Sequence, residues 1–299
     1  MKNTPLDNLK NFGFVLPAVL IFSIFYIYPF IYTFIFSFHR WDFISTMQFT
    51  GLDNFKEVLF YDKDWWPSIY KGGFITFMAL TVQNILAFSL AMGVDKATRS
   101  GKIYQVIFFL LPVLSEIIIG LLMQQLLSVP PQGGDVLNQV LKSIGLAGLC
   151  REWLGDNLVL LTTALVHCWK GFGWAFVIFL AGLQTIPEQL YEAARIDGAN
   201  AWHRFTKITV PLLMPVLAMV LVLTILGTMQ AFAMIQALTR GHNGMTEVPV
   251  MRIYNHLRGM QVGLACAEGI VLGIILVTVS FVMFFVSKKL REKFGVLPG

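Results

Sequence analysis

Glu192-Ala193-Ala194-Arg195-Ile196-Asp197-Gly198-Ala199 is a polar island in an apolar sequence, followed by Ile208, Pro211 and Leu212. Pro187 suits the first position of a short helix, where its missing N–H costs nothing. Leu190, Ala193, Ala194 and Asp197 recur at helical spacing, and Gly198 can take the left-handed conformation that stops a helix. Asn200 is placed to cap a second short helix carrying Trp202, Phe205 and Ile208, and Pro211 opens the next apolar run. The expectation is two short helices hinged at a glycine, a compact knob between two long apolar segments. By pattern alone the same stretch also fits an amphipathic helix lying on lipid.

Outward from this knob the chain is greasy. Of 299 residues 56% are hydrophobic and 13% charged, with a mean hydropathy of +0.69. A soluble domain carries about 25% charged residues, so this is a polytopic membrane protein. Six spans are read at 14–38, 73–94, 103–128, 157–183, 210–233 and 265–287. Each is long enough to cross a core of about 30 Å at 1.5 Å per residue. The spans and their connections use the whole length, so 1–299 is read as one all-α transmembrane domain with the loop 184–209 outside the bilayer. Trp41, Trp65, Trp66 and Tyr70 suit a membrane–water boundary. The first apolar run is too long for a signal peptide and lacks a small-residue cleavage site, so it is read as a retained span.

Six spans put both termini on one side. With that side cytoplasmic, the inner segments 1–13, 95–102, 184–209 and 288–299 hold 12 Lys/Arg in 59 residues. The outer segments 39–72, 129–156 and 234–264 hold 9 in 93, about half the density. Both termini and the knob are therefore expected in the cytoplasm. The net charge of +5 follows from this asymmetry and does not call for a nucleic-acid partner. Cys150, Cys168 and Cys266 form neither a disulfide framework nor a metal spacing.

Ionisable groups inside spans are costly and face a cavity or one another. Glu116, Lys170 and Glu268 are three such groups. His167, Trp169, Lys170, Gly171 and Trp174 cluster mid-way along the fourth span, and His167, Lys170 and Trp174 share a helical face. Donors beside an aromatic plate suit a sugar ring. Thr224 and Thr228 could share a face of the fifth span, with Gln230 off it. The plainer alternatives are a Lys170–Glu116 packing pair, lipid-facing aromatics and threonines bonded to their own helix. A free Lys170 beside His167 would instead favour an anionic ligand, such as a uronate oligosaccharide or a sugar phosphate.

Glu-Ala-Ala, then Asp-Gly-Ala, then Ile-x-x-Pro-Leu resembles the coupling loop of permease subunits in binding-protein-dependent ABC importers. Gly182-Leu183-Gln184-Thr185-Ile186-Pro187 with Leu190-Tyr191 resembles the carbohydrate branch, the maltose and glycerol-3-phosphate permease-like proteins. Phe38-His39-Arg40-Trp41-Asp42, Gly51-Leu52-Asp53-Asn54-Phe55 and Trp153-Leu154-Gly155-Asp156 are similar to the external segments of that branch. Leu238-Thr239-Arg240-Gly241-His242-Asn243-Gly244 departs from its usual Leu-Thr-x-Gly-Gly-Pro, leaving Asn243-Gly244 to make a different turn.

The resemblance implies a type I importer fold in a bacterial or archaeal cytoplasmic membrane. Its partners would be a second, different permease, two ATPase subunits and an extracytoplasmic sugar-binding protein, with a carbohydrate as the ligand. It implies that Glu192 anchors to the ATPase, that Ala193 and Ala194 allow close packing, and that Gly198 permits the break; Asp197 caps or braces the loop. No Gly-x-x-x-x-Gly-Lys-Ser/Thr, His-Glu-x-x-His or Gly-x-Ser-x-Gly sequence is present, so the chain is read as no enzyme, without metal or cofactor of its own. ATP and Mg would belong to the partner ATPase. An ion-gradient-driven secondary transporter is the main rival, and it predicts inverted repeats that are not found. An intramembrane sugar or lipid transferase would need a clustered acidic site that the sparse acids do not supply.

Overall fold

The computed structural model describes residues 5–94, 99–130 and 133–293, with side chains over 14–94, 103–130 and 133–289. The basic side chains expected within 1–13 and 95–102, with Arg291 and Lys293, fall outside that set. Among the described residues the only strands are His39–Arg40 and Gln48–Phe49, a two-residue antiparallel ribbon. Everything else regular is helical.

Five helices are long and apolar enough to cross a membrane: Phe14–Ser37, Trp65–Gly93, Val159–Gln184, Ala201–Met229 and Val262–Lys289. These match five of the expected spans, although the second starts at Trp65, well before residue 73. The third, read at 103–128, is a bent pair: Ile103–Val113 and Glu116–Leu127 meet at 92°. Pro112 has no N–H for the Phe108 carbonyl, and Ser115, at φ −58° and ψ 135°, starts a new helix. Hydropathy averages across such a bend and cannot register it.

Prolines elsewhere are absorbed without a break. Ser23–Ile27 and Phe205–Thr209 are single π-turns, the first just ahead of Pro29 and the second just ahead of Pro211. Widening the turn before a proline relieves its clash with the carbonyl four residues back, and the helix continues. The second knob helix is therefore not a separate element. Ala201–Arg204 runs through the π-turn into Val210–Met229 as one 29-residue helix.

The chain divides into two compact units, residues up to 63 with 253–274, and 64–252 with 275 onward. In the first, Asn54 donates from Nδ2 to the carbonyls of Ser37 and His39, at 2.8 and 2.9 Å. The Val262 amide reaches the Trp41 carbonyl at 3.0 Å.

In the second unit, Val159–Gln184 is the central helix. It packs through Phe172, Ala175, Phe176, Phe179 and Leu183 against Ala87, Ala91, Leu213 and Val220. Phe108 meets Phe172 and Phe176 edge-on, with centroids 5.5 and 5.0 Å apart. Lipid is as apolar as leucine, so such contacts hold helices together by fit rather than by exclusion of water.

Within this unit fit is tightest at Gly173, where a Cβ would collide with the Phe108 carbonyl and stand 2.8 Å from Pro112 Cδ. Proline frees that carbonyl, and glycine lets it come close. Gly173→Ala should therefore cost about 1–3 kcal/mol, as overpacking does. Gly73→Ala, whose Cβ would meet nothing within 4 Å, should be neutral or stabilising. Thermal unfolding of the two variants in one detergent checks the contrast; equal midpoints would refute the close contact.

Candidate functional site

The knob is built locally. Pro187 is the N-cap of Glu188–Ile196, one residue earlier than its expected first helical position. Glu188 lies in the first turn and Arg195 in the last, each at the favourable end of the helix dipole. The helix ends in paired reverse bonds: the Ala199 amide to the Ala194 carbonyl at 2.8 Å, and the Gly198 amide to the Arg195 carbonyl at 3.1 Å. Gly198 takes φ +77°, the left-handed residue this motif needs. Asn200 then caps the following helix, its Oδ1 accepting from the His203 amide at 2.8 Å.

Asp197 is itself the C-cap residue of Glu188–Ile196, through its backbone. Its amide closes on the Ala193 carbonyl, and its side chain makes no such bond among the described residues. Tyr191 ties the first helix to the second, its hydroxyl 2.9 Å from Thr209 Oγ1. Outward the knob presents Glu192 and Ala193, with Ile196 87% and Trp202 69% exposed. Ala194 is half-buried.

A second feature is a cleft of about 360 Å³ lined by Gln83, Glu116, His167, Lys170, Gly171, Trp174, Thr224 and Thr228, among others. The bend in the third span positions one wall, because Glu116 is the first residue of its new helix. Lys170 Nζ donates to Glu116 Oε1 at 2.7 Å, so the two intramembrane charges are one ion pair. The positive end of Glu116–Leu127 adds to the stabilisation of the carboxylate. Lys170 is therefore not a free cation.

Thr224 and Thr228 are almost wholly buried, and their hydroxyls are committed. Each bonds the carbonyl four residues back at 2.7 Å. Thr228 also meets Thr76 Oγ1 at 2.7 Å, and Asn84 donates to Thr224 Oγ1 at 3.2 Å. They staple the second span to the fifth. His167, Gly171 and Trp174 are brought together as expected. Two expected members are not. Trp169 is exposed on another face, and Gln230 ends its helix outside the cleft.

Gln83, which lines the cleft, and Asn84, which bonds Thr224 beside it, were passed over by sequence reading from ionisable groups. Gln83 is 1% exposed, and its Oε1 has no hydrogen-bond partner. It ends the π-turn Ala79–Gln83, and Gly171 leaves room for its amide. Adjacent amides in an apolar run were the available signal.

A profile of the family described as the binding-protein-dependent transport system inner membrane component matches residues 83–293. The chain belongs to this family. The arabinooligosaccharides transport system permease protein AraP of Bacillus subtilis (strain 168) is 31% identical over 94% of this chain and 88% of its own length. The trehalose/maltose transport system permease protein MalF of Thermococcus litoralis is 29% identical, over 93% of each chain. In solved structures, a chain of a bacterial alginate ABC transporter, in complex with an alginate pentasaccharide-bound periplasmic protein, superposes with a TM-score of 0.81. It is 24% identical and covers 95% of this chain and 96% of that one, which shows the fold.

This permease is thus a multi-pass membrane protein of the carbohydrate ABC importer kind and not an enzyme. Its divergent loop keeps positive φ from Arg240 through Gly244. His242 Nε2 contacts Asp156 Oδ1 at 2.7 Å, joining that loop to the Trp153–Asp156 segment. Arg252 is turned inward to Glu247 and Asp64, at 3.5 and 3.8 Å.

The ion pair of this permease can be told from a ligand contact by a double-mutant cycle. Lys170→Met should lower stability by about 1–3 kcal/mol, less than a fully buried pair because Glu116 is 45% exposed. Adding Glu116→Gln should recover most of the loss in thermal unfolding and in uptake. Recovery of stability without recovery of uptake would assign Lys170 to the ligand instead.

Proposed function

We propose that this permease is one of two different transmembrane subunits of an ATP-driven importer that takes up a sugar or oligosaccharide. It receives its ligand from an extracytoplasmic binding protein and is driven by two separate ATPase subunits, which hold ATP and Mg. Both termini and the knob face the cytoplasm, in line with the Lys/Arg distribution.

The observation that carries this reading is the knob. Its two helices are rigidly capped, yet it leaves Ile196 uncovered outside any span and Trp202 uncovered in the first turn of Ala201–Met229. Ile196 and Trp202, exposed along with Glu192 and Ala193, offer a surface for a cleft on another protein. Glu192 is the charged anchor, Ala193 and Ala194 allow close approach, and Gly198 sets the angle between the helices. Asp197 caps the end of the first helix through its backbone and braces the loop.

For the ligand, the cleft favours hydroxyl recognition. The Lys170–Glu116 pair carries no net charge, the Gln83 carbonyl has no partner, and Trp174 supplies an aromatic face. Solved relatives include an alginate transporter, whose ligand is acidic, so neutral and acidic oligosaccharides are the two arms of the test. ATPase stimulation in the reconstituted complex, with binding protein loaded with each, compares them; preference for the acidic arm would mean that the ligand displaces Glu116 from Lys170.

Coupling is tested separately. Gly198→Asp and Glu192→Lys should both leave the protein inserted and folded: a Cβ at 198 meets nothing within 4 Å, so the cost there is the strain of one positive φ, about 1–2 kcal/mol. Either should abolish uptake and co-purification of the ATPase. Full uptake by a well-expressed Gly198→Asp variant would sink the coupling assignment.

A further inference from the structure

Apart from the knob and the cleft, one cluster of titratable side chains stands out in the first unit. Asp62, His256 and Glu268 each place a ligand atom so that all three lie within 4.8 Å of one another. They come from three separate segments. Asp62 follows the turn Glu57–Tyr61, His256 lies near the end of Pro249–Arg258, and Glu268 lies near the start of Val262–Lys293. Glu268 is wholly buried, His256 is 17% exposed, and Asp62 is half-buried.

Two physical facts bear on what this cluster does. The first is charge. A wholly buried carboxylate costs several kcal/mol unless it is compensated. A second carboxylate beside it adds repulsion, and the one imidazole can supply at most a single positive charge. The second is direction. His256 Nδ1 is 2.9 Å from Glu268 Oε2, yet it makes no aligned hydrogen bond. The two atoms lie side by side at bonding distance without one pointing at the other. Ligand atoms about 2.0–2.2 Å from a shared cation stand about 2.8–3.1 Å apart at the right angles of a five- or six-coordinate site, and about 3.3–3.6 Å apart in a tetrahedral one. Calcium, with longer bonds and a preference for many oxygens, would spread them further.

We propose that Asp62, His256 and Glu268 form a binding site for a first-row divalent transition metal ion, for which Zn²⁺ is the probe. One nitrogen and two carboxylate oxygens suit such an ion, with further positions left to water. The ion neutralises the buried carboxylate and staples the amphipathic helix carrying His256 to the segment before residue 63. The site is read as structural because it joins separate segments of the first unit and shares no residue with the lining of the cleft. It stands independently of the importer reading.

The test uses the full chain, purified in detergent with the subunits that accompany it, stripped by chelator and titrated with ZnCl₂. The expected result is one zinc per chain by elemental analysis, with a raised thermal midpoint. Binding should weaken at least about tenfold in His256→Ala and in Asp62→Asn, and neither variant should gain thermal stability from zinc. Asp62→Asn keeps the test open if His256→Ala fails to fold, since Asp62 is partly exposed; circular dichroism before zinc addition reports folding. Magnesium and calcium at the same concentration should not compete. Absence of stoichiometric zinc in the native chain, or equal zinc in native and variant chains, overturns the proposal and leaves an imidazole–carboxylate ion pair.

Discussion

The Lys170–Glu116 ion pair, 2.7 Å long, joins the middle of the fourth span to the corner of the third. Neither charge could sit in a lipid-bounded helix alone. The pair therefore requires the third span to bend where it does, so that Glu116 becomes the first residue of a helix, and it requires water to reach the half-exposed carboxylate. The cleft is the consequence. The same corner frees the Phe108 carbonyl, which closes against Gly173. One proline and one glycine, on facing helices, thus set the distance across which the ion pair forms.

The other polar groups of the second unit obey the same constraint. With no water among packed spans, a hydroxyl or amide must find its partner inside the protein. Thr76, Asn84, Thr224 and Thr228 do so by joining the second span to the fifth. Such bonds are worth about 0.6 kcal/mol each on average in a membrane. Their number matters less than their placement on two helices that have small residues where they touch. Gln83 is an exception, as are Trp65 Nε1 and Thr163 Oγ1. Gln83 keeps its carbonyl oxygen unpaired beside Gly171, where a ligand hydroxyl would complete it.

Much of this was legible in the chain. Spans announce themselves by length and apolarity, and the knob by purely local chemistry: Gly198 with φ above zero and Asn200 as a cap are readable because their partners lie within four residues. The bend at Ser115 was not legible, because hydropathy is indifferent to direction; Pro112 alone could not tell a kink from a break. Helical spacing placed His167, Lys170 and Trp174 together, but sequence clustering wrongly brought in Trp169, a residue rotated off that face. Pro211 read as the opening of a new run because a proline's clash is local, whereas the π-turn that relieves it depends on the helix already being propagated on both sides. Asp62, His256 and Glu268 are too far apart in sequence for any spacing rule to join them.

The continuity of Ala201–Met229 changes what the knob can do. A separate short helix would swivel at Pro211 and dissipate a push. A single 29-residue helix spans about 40 Å and moves as a body. Tyr191 fastens the first knob helix to this body at Thr209, so both parts of the knob are tied to its base. At the far end the same helix carries Thr224 and Thr228, which are bonded to the second span beside Gln83. A displacement applied at Trp202 must therefore either carry the second span along or break those buried bonds, and both alternatives alter the cleft. The connection rests on one unbroken helix and two hydroxyl staples, a physical link that requires no chain of loosely coupled side chains.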